Sequence, residues 1–116
     1  HAHKRTQSKE LYQNIVIDQG TTFSFELTIT NADGTPKNLA AYTVAAQLRK
    51  SYYTNTYTAF TTAKIDGTGE ITISLTAAQT SAINAGRYVY DIEIDGNSET
   101  LRILEGIVTV TPEVTK

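Results

Sequence analysis

Residues 22–30, TFSFELTIT, alternate without a break. Phe23, Phe25, Leu27 and Ile29 share one parity, and Ser24, Glu26 and Thr28 share the other. Successive side chains of a β-strand point to opposite faces, so a period of two marks a strand with one face buried and one wetted. The period recurs in YTVAAQLRK (residues 42–50, with Tyr42, Val44, Ala46 and Leu48 inward), in ITISL (71–75) and in YVYDIEID (88–95, with Tyr88, Tyr90, Ile92 and Ile94 inward). IVID (15–18), ETLRIL (99–104) and GIVTVTPEVT (106–115) read as further strands, the last with Pro112 placed late, where an edge tolerates it. Turn chemistry separates them: NADGTP at 31–36, KIDGTGE at 64–70 and Asp95-Gly96-Asn97. Only TAAQTSAINAG (76–86) breaks the pattern. Thr76 followed by Gln79 is a capping-box signature, alanine favours helix, and Gly86 is predicted to close a helix of about two turns as its C′ residue. The expected fold is all-β: an antiparallel, immunoglobulin-like β-sandwich of about seven to eight strands with one short helix. Tyr88, near the start of a strand after a helical corner, is placed to bond back to that corner as a tyrosine does in such sandwiches.

The chain has 116 residues, enough for one domain that hides roughly two-thirds of its unfolded surface. It has no cysteine, which excludes disulfide scaffolds, thiolate zinc sites and thiol nucleophiles. No apolar run is long enough to cross a membrane as a helix. Residues 1–14, HAHKRTQSKELYQN, are polar and lack a period, so they read as an extended N-terminal arm ahead of a sandwich at 15–116. Removing that arm is predicted to leave the sandwich folded. Lys4, Arg5 and Lys9 against Glu10 leave +2 in the first ten residues, and therefore −4 in the remainder of a chain whose total is −2. An acidic body is a poor match for nucleic acid. The basic arm suits an acidic protein surface, which makes Lys4, Arg5, Lys9 and the neighbouring Tyr12 candidate protein-contact residues.

Chemistry is sparse. Histidine occurs only at His1 and His3, so a catalytic base would have to come from the arm, which cannot preorganise a site. If His1 is the true end, a free amino terminus with His3 could chelate copper or nickel, but a processing or cloning remnant is the plainer reading. Asp91, Glu93 and Asp95 share a strand face and, with Asp66 or Glu70, could hold calcium; a solvated sheet face is the plainer reading. They imply no glycosidase pocket. Asp66-Gly67-Thr68-Gly69 lacks the lysine and the following helix of a phosphate loop and is predicted to be a hairpin turn. No catalytic, cofactor or metal site is expected. SYYTNTYTAF (51–60) interleaves Tyr52, Tyr53, Tyr57 and Phe60 with hydroxyls, as a sugar platform, a stacking surface or a protein-contact edge would. Adjacent Tyr52 and Tyr53 point to opposite faces of a strand and cannot form one platform. The stretch reads as a strand-turn-strand rim with Asn55 at its tip, and Tyr53 and Tyr57 are candidate protein contacts.

The order of these blocks resembles a family of small immunoglobulin-like phage virion domains, namely the N-terminal domain of phage baseplate upper proteins and similar domains of tail, neck and head-decoration proteins. The resemblance rests on Gly20 before Phe23 and Phe25, on Asp33-Gly34-x-Pro36 with Leu39, on Thr76-x-x-x-Thr80 ahead of Gly86-x-Tyr88-x-Tyr90, and on Gly106-x-Val108-x-Val110. It runs over about residues 15–115. Baseplate upper proteins continue into long further regions, so a domain of this length suits a decoration, neck or tail accessory protein equally well. The resemblance implies a non-enzymatic structural protein of a virion. Its partners would be other virion proteins and further copies of itself, with no nucleic acid, membrane, cofactor or small-molecule substrate. A carbohydrate-binding or adhesion module recognising a cell surface is the alternative.

Overall fold

Each alternating segment of the sequence becomes a strand in a computed structural model of the chain, which describes residues 2–6, 11–51 and 54–113. In chain order the elements are β1 (Ala2–Thr6), β2 (Leu11–Tyr12), β3 (Ile15–Asp18), β4 (Phe23–Ile29), β5 (Tyr42–Arg49), β6 (Thr58–Ala59), β7 (Thr61–Ile65), β8 (Glu70–Leu75), α1 (Ala77–Ser81), β9 (Gly86–Gly96) and β10 (Glu99–Thr111). They form a four-stranded sheet in the order β1-β4-β8-β7 and a six-stranded sheet in the order β2-β10-β9-β5-β6, with β3 also on β10. The inward parity meets between the sheets. Leu27, Ile29, Ile71 and Ile73 from one side and Leu48, Tyr90, Ile92, Ile94, Leu104 and Val108 from the other are at most 1% exposed. Burial of each such side chain contributes about 1.5–3 kcal/mol.

The expectation of a purely antiparallel sandwich is corrected. β1 runs parallel to β4, and β2 and β3 run parallel to β10, so both sheets are mixed and the described strands number ten. Alternation reports which face of a strand is buried and carries no information on the direction of its neighbour. The first and last strands of the sandwich lie side by side here, and nothing local announces that pairing.

The helix is shorter than expected. Thr76 and Gln79 form the reciprocal capping box, but α1 ends at the C-cap Ala82 and Gly86 instead opens β9 at φ +147. The helix stops because its surroundings claim the chain. The Thr80 hydroxyl, fully buried, donates to the Thr21 carbonyl (2.8 Å) and accepts from the Gly20 amide (3.0 Å). Ile83 is buried, and its carbonyl accepts the Gln19 side-chain amide at 2.7 Å. The turn at Asp66–Gly69 closes the β7–β8 hairpin as expected, with the Gly69 amide donating to the Ile65 carbonyl at 3.1 Å. Gly69 is required there: φ is +71, and a Cβ would lie 2.4 Å from the Ile29 carbonyl oxygen.

Residues 11–14 are tied to the sandwich. The Gln13 amide donates to the Glu105 carbonyl, and Asn14 Oδ1 accepts the Ile107 amide at 3.1 Å. Tyr90, 1% exposed, donates its hydroxyl to the Gln13 carbonyl at 2.6 Å. Gly106 permits the approach, since a Cβ there would lie 2.2 Å from the same oxygen. Deletion of residues 1–10 removes β1 from the edge of the four-stranded sheet; extending the deletion to residue 14 also orphans the Tyr90 hydroxyl and is expected to cost about 1–3 kcal/mol more in urea denaturation.

Burial, reinforced by the charge of Glu105, pushes the Tyr90 phenol well above the ordinary tyrosine range. A group whose pKa is higher folded than unfolded stabilises the fold below its unfolded value and loses that contribution as pH rises. Stability is therefore expected to fall as pH climbs past about 10, the unfolded tyrosine value, and Tyr90→Phe should flatten the decline in pH-dependent thermal melts.

Candidate protein interface

The outward parity of the six-stranded sheet builds a continuous surface, which the register resolves into rows. One row runs Tyr12, Glu105, Asp91, Gln47, Ala59. The next runs Ile107, Val89, Arg49, with Asn14 bound to the Ile107 amide at one end and Tyr57 at the other. A third sets Val16 beside Thr109 and Arg87. Tyr12 (66% exposed), Val16 (63%) and Tyr57 (53%) thus lie on one face, together with the half-buried Val89 and Ile107. Strands stand about 4.8 Å apart, so the four spacings from Tyr12 to Tyr57 make a band about 19 Å wide.

Charge crosses the band, with one guanidinium set among three carboxylates. The Arg102 Nε lies 3.4 Å from Asp91 and 3.6 Å from Glu93, and its Nη1 lies 4.0 Å from Glu105. Its guanidinium stands among the carboxylates that the sequence offered for calcium, and Asp95 instead accepts the Thr100 hydroxyl at 2.8 Å. Among the described residues no cluster of three or more His, Cys, Asp or Glu is arranged to hold a metal. Arg49 hydrogen-bonds Gln47, donates to the Thr54 carbonyl at 3.2 Å and stacks its guanidinium 5.3 Å from the Tyr57 ring centre. That contact presents the ring as a fixed knob at the end of the band.

The described end of SYYTNTYTAF leads into a crossing between the sheets, where a strand-turn-strand rim was expected. β6 pairs with the end of β5, the chain passes inward at Phe60, and β7 joins the other sheet. Phe60 is core, 5.9 Å from the Phe23 ring and 6.4 Å from the Tyr90 ring. Of the residues singled out from the sequence, the fold brings Tyr12 and Tyr57 onto one face. Lys4 and Arg5 lie in β1, at the edge of the four-stranded sheet. Lys9 and Tyr53 lie outside the described residues. Val16, Val89 and Ile107 were not singled out. Their signal was available: each is an apolar residue on the wetted parity of a strand, where threonine or a charge is the norm.

No protein-family model matches the chain, and no curated protein matches it in sequence. Solved structures do. The N-terminal domain of phage TP901-1 ORF48 superimposes with a TM-score of 0.60 at 10% identity, covering 96% of this chain and 99% of that one. The two share a fold nearly end to end. Listeria monocytogenes InlP matches at TM-score 0.49 and 17% identity over 88% of this chain and 26% of its own. An inclusion body protein from Burkholderia cenocepacia J2315 matches at 0.29 and 10%. These last two similarities carry no argument.

Replacing Tyr12 and Tyr57 by serine should leave the thermal midpoint nearly unchanged, within about 0.5 kcal/mol, as exposed positions do. Any self-association of the protein should weaken by tenfold or more in sedimentation equilibrium.

Proposed function

We propose that the protein is a non-enzymatic structural module of a bacteriophage virion, of the tail, baseplate, neck or capsid-decoration kind, that acts by protein–protein assembly. The observation that carries the reading is the end-to-end likeness of its fold to a phage protein domain. The surface agrees with it. A fixed tyrosine knob and a sheet face with apolar residues on its wetted side are features of a surface that meets another protein.

The fold is of the immunoglobulin-like kind in this reading. Support comes from β4-β8-β7 facing β6-β5-β9-β10, from β3 added parallel to the last strand, and from Tyr88. The Tyr88 hydroxyl donates to the Asn84 carbonyl at 2.7 Å, closing a tyrosine corner at the start of β9. The protein sits in the virion beside other virion proteins and further copies of itself. Lys4, Arg5, Lys9, Tyr12, Tyr53 and Tyr57 contribute to those contacts, on an arm spanning residues 1–14 and on the sandwich at 15–116.

A sugar-binding platform needs aromatic rings side by side, and Tyr12 and Tyr57 stand at opposite ends of the band. Sedimentation velocity on the purified protein, paired with a glycan array, tests the choice. Self-association without glycan binding is the expected result. A monomer showing saturable glycan binding that Tyr57→Ala abolishes would overturn the assembly reading.

A further inference from the structure

The outward residues of the six-stranded sheet are disposed evenly about one row. Ile107 and Val89 stand side by side in that row. On one side of it lie Val16 and Arg87, both next to Thr109. On the other lie Tyr12 and Asp91, both next to Glu105. β2 and β3 share one flank of β10, because β9 holds the other. Val16 and Tyr12 therefore occupy one column and Arg87 and Asp91 another, each residue two positions, about 7 Å, from the central row.

A half-turn about the central row exchanges the members of each column. Applied to a second copy laid face to face on the first, it sets Val16 over Tyr12 of the second copy and Arg87 over Asp91 of the second copy. Each contact is made twice, as in any two-fold interface. Ile107 and Val89 meet their own counterparts on the axis. Apolar thus meets apolar, and charge meets opposite charge. The exposed Arg87 is brought to the rows where, among the described residues, three carboxylates surround one guanidinium. Arg49, also in the central row, is drawn aside onto Gln47 and the Tyr57 ring at the rim. A foreign partner would require no such relation between two halves of one face, whereas a second copy requires it.

We propose that this face is covered by a second copy of the chain, turned by a two-fold axis that runs along the Ile107–Val89 row, so that the β9 strands of the two copies run in opposite directions. The inference rests on the reading of the chain as an assembling module and names the contact by which it assembles. The band is about 19 Å across and overlaps its turned copy over about 27 Å along the strands, which buries about 1,000 Å² counting both copies. That is the lower end for a specific contact, so the dimer is reversible and depends on its charges.

Sedimentation velocity over a range of concentrations reads the contact. Arg87→Glu sets like charges against each other at two places across the axis, and so does Asp91→Lys. Each is expected to weaken dimerisation by tenfold or more, with the thermal midpoint reporting an intact fold. An equal mixture of the two variants restores opposite charge at both places, as does the double variant Arg87→Glu/Asp91→Lys, and both should associate as the unsubstituted protein does. Val89→Cys gives an independent reading, because the chain has no cysteine of its own. Facing sheets stand about 10 Å apart, beyond the reach of a disulfide, so a short bismaleimide is expected to join two copies through residue 89. Single reversals that leave association unchanged, or that neither the mixture nor the double variant rescues, overturn the proposal. So does an associating protein that gives no cross-link through residue 89. In those cases assembly through another surface stands. An unsubstituted protein that stays monomeric at every concentration removes this contact together with the self-association in the reading on which it rests.

Discussion

Tyr90 is the point at which the separate parts of this domain are joined. Its ring packs edge-on to Phe60, the residue at which the chain leaves one sheet for the other, and Phe60 in turn meets Phe23 at the start of β4. Its hydroxyl reaches out of the core to the Gln13 carbonyl, fixing the segment that leads from the arm into β3. Gly106, beneath the same oxygen, has to remain without a side chain for that segment to lie so close. A buried phenol left without this acceptor would cost more than the bond contributes, so the fold depends on the approach of a segment 77 positions away in sequence.

The surface follows from the same arithmetic of parity. With one parity committed to the core, the other faces outward, and on the six-stranded sheet it carries Tyr12, Val16, Val89, Ile107 and Tyr57 around three carboxylates bridged by Arg102. Exposed ion pairs such as those of Arg102 add little stability, typically about 0–1 kcal/mol. They keep the carboxylates of β9 from repelling one another and leave the apolar band as the distinguishing feature of the face.

Much of this was legible in the sequence. Phe25, Leu27, Ile29, Ile71, Ile73, Ile92 and Ile94 were assigned to the core by alternation alone, the capping box at Thr76 and Gln79 by spacing, and the Asp66–Gly69 hairpin by its glycines. These are local properties, set by backbone geometry within a few residues. Gly86 misled because a glycine at the right distance from a helix start looks the same whether it caps the helix or opens the next strand. The helix ended early because Thr80 and Ile83 were drawn into contacts with residues 19–21, some 60 positions away.

The carboxylates of β9 were visible as a cluster, but the guanidinium between them came from β10 and needed the register to appear. Phe60 read as one aromatic among four and became core only when the chain crossed between sheets. For the alternating segments from residue 15 onward the sequence by itself determined strand and dry face, because a period of two is a property of a single extended chain; β1, β2, β6 and β7 carried no such signal. The direction in which β1, β2 and β3 pair, and the gathering of Tyr12, Val16 and Tyr57 on one face, were decided only by the tertiary structure. Pairing joins segments whose hydrogen-bonding groups are alike all along the backbone, and only the packing of the two sheets selects among the possible partners.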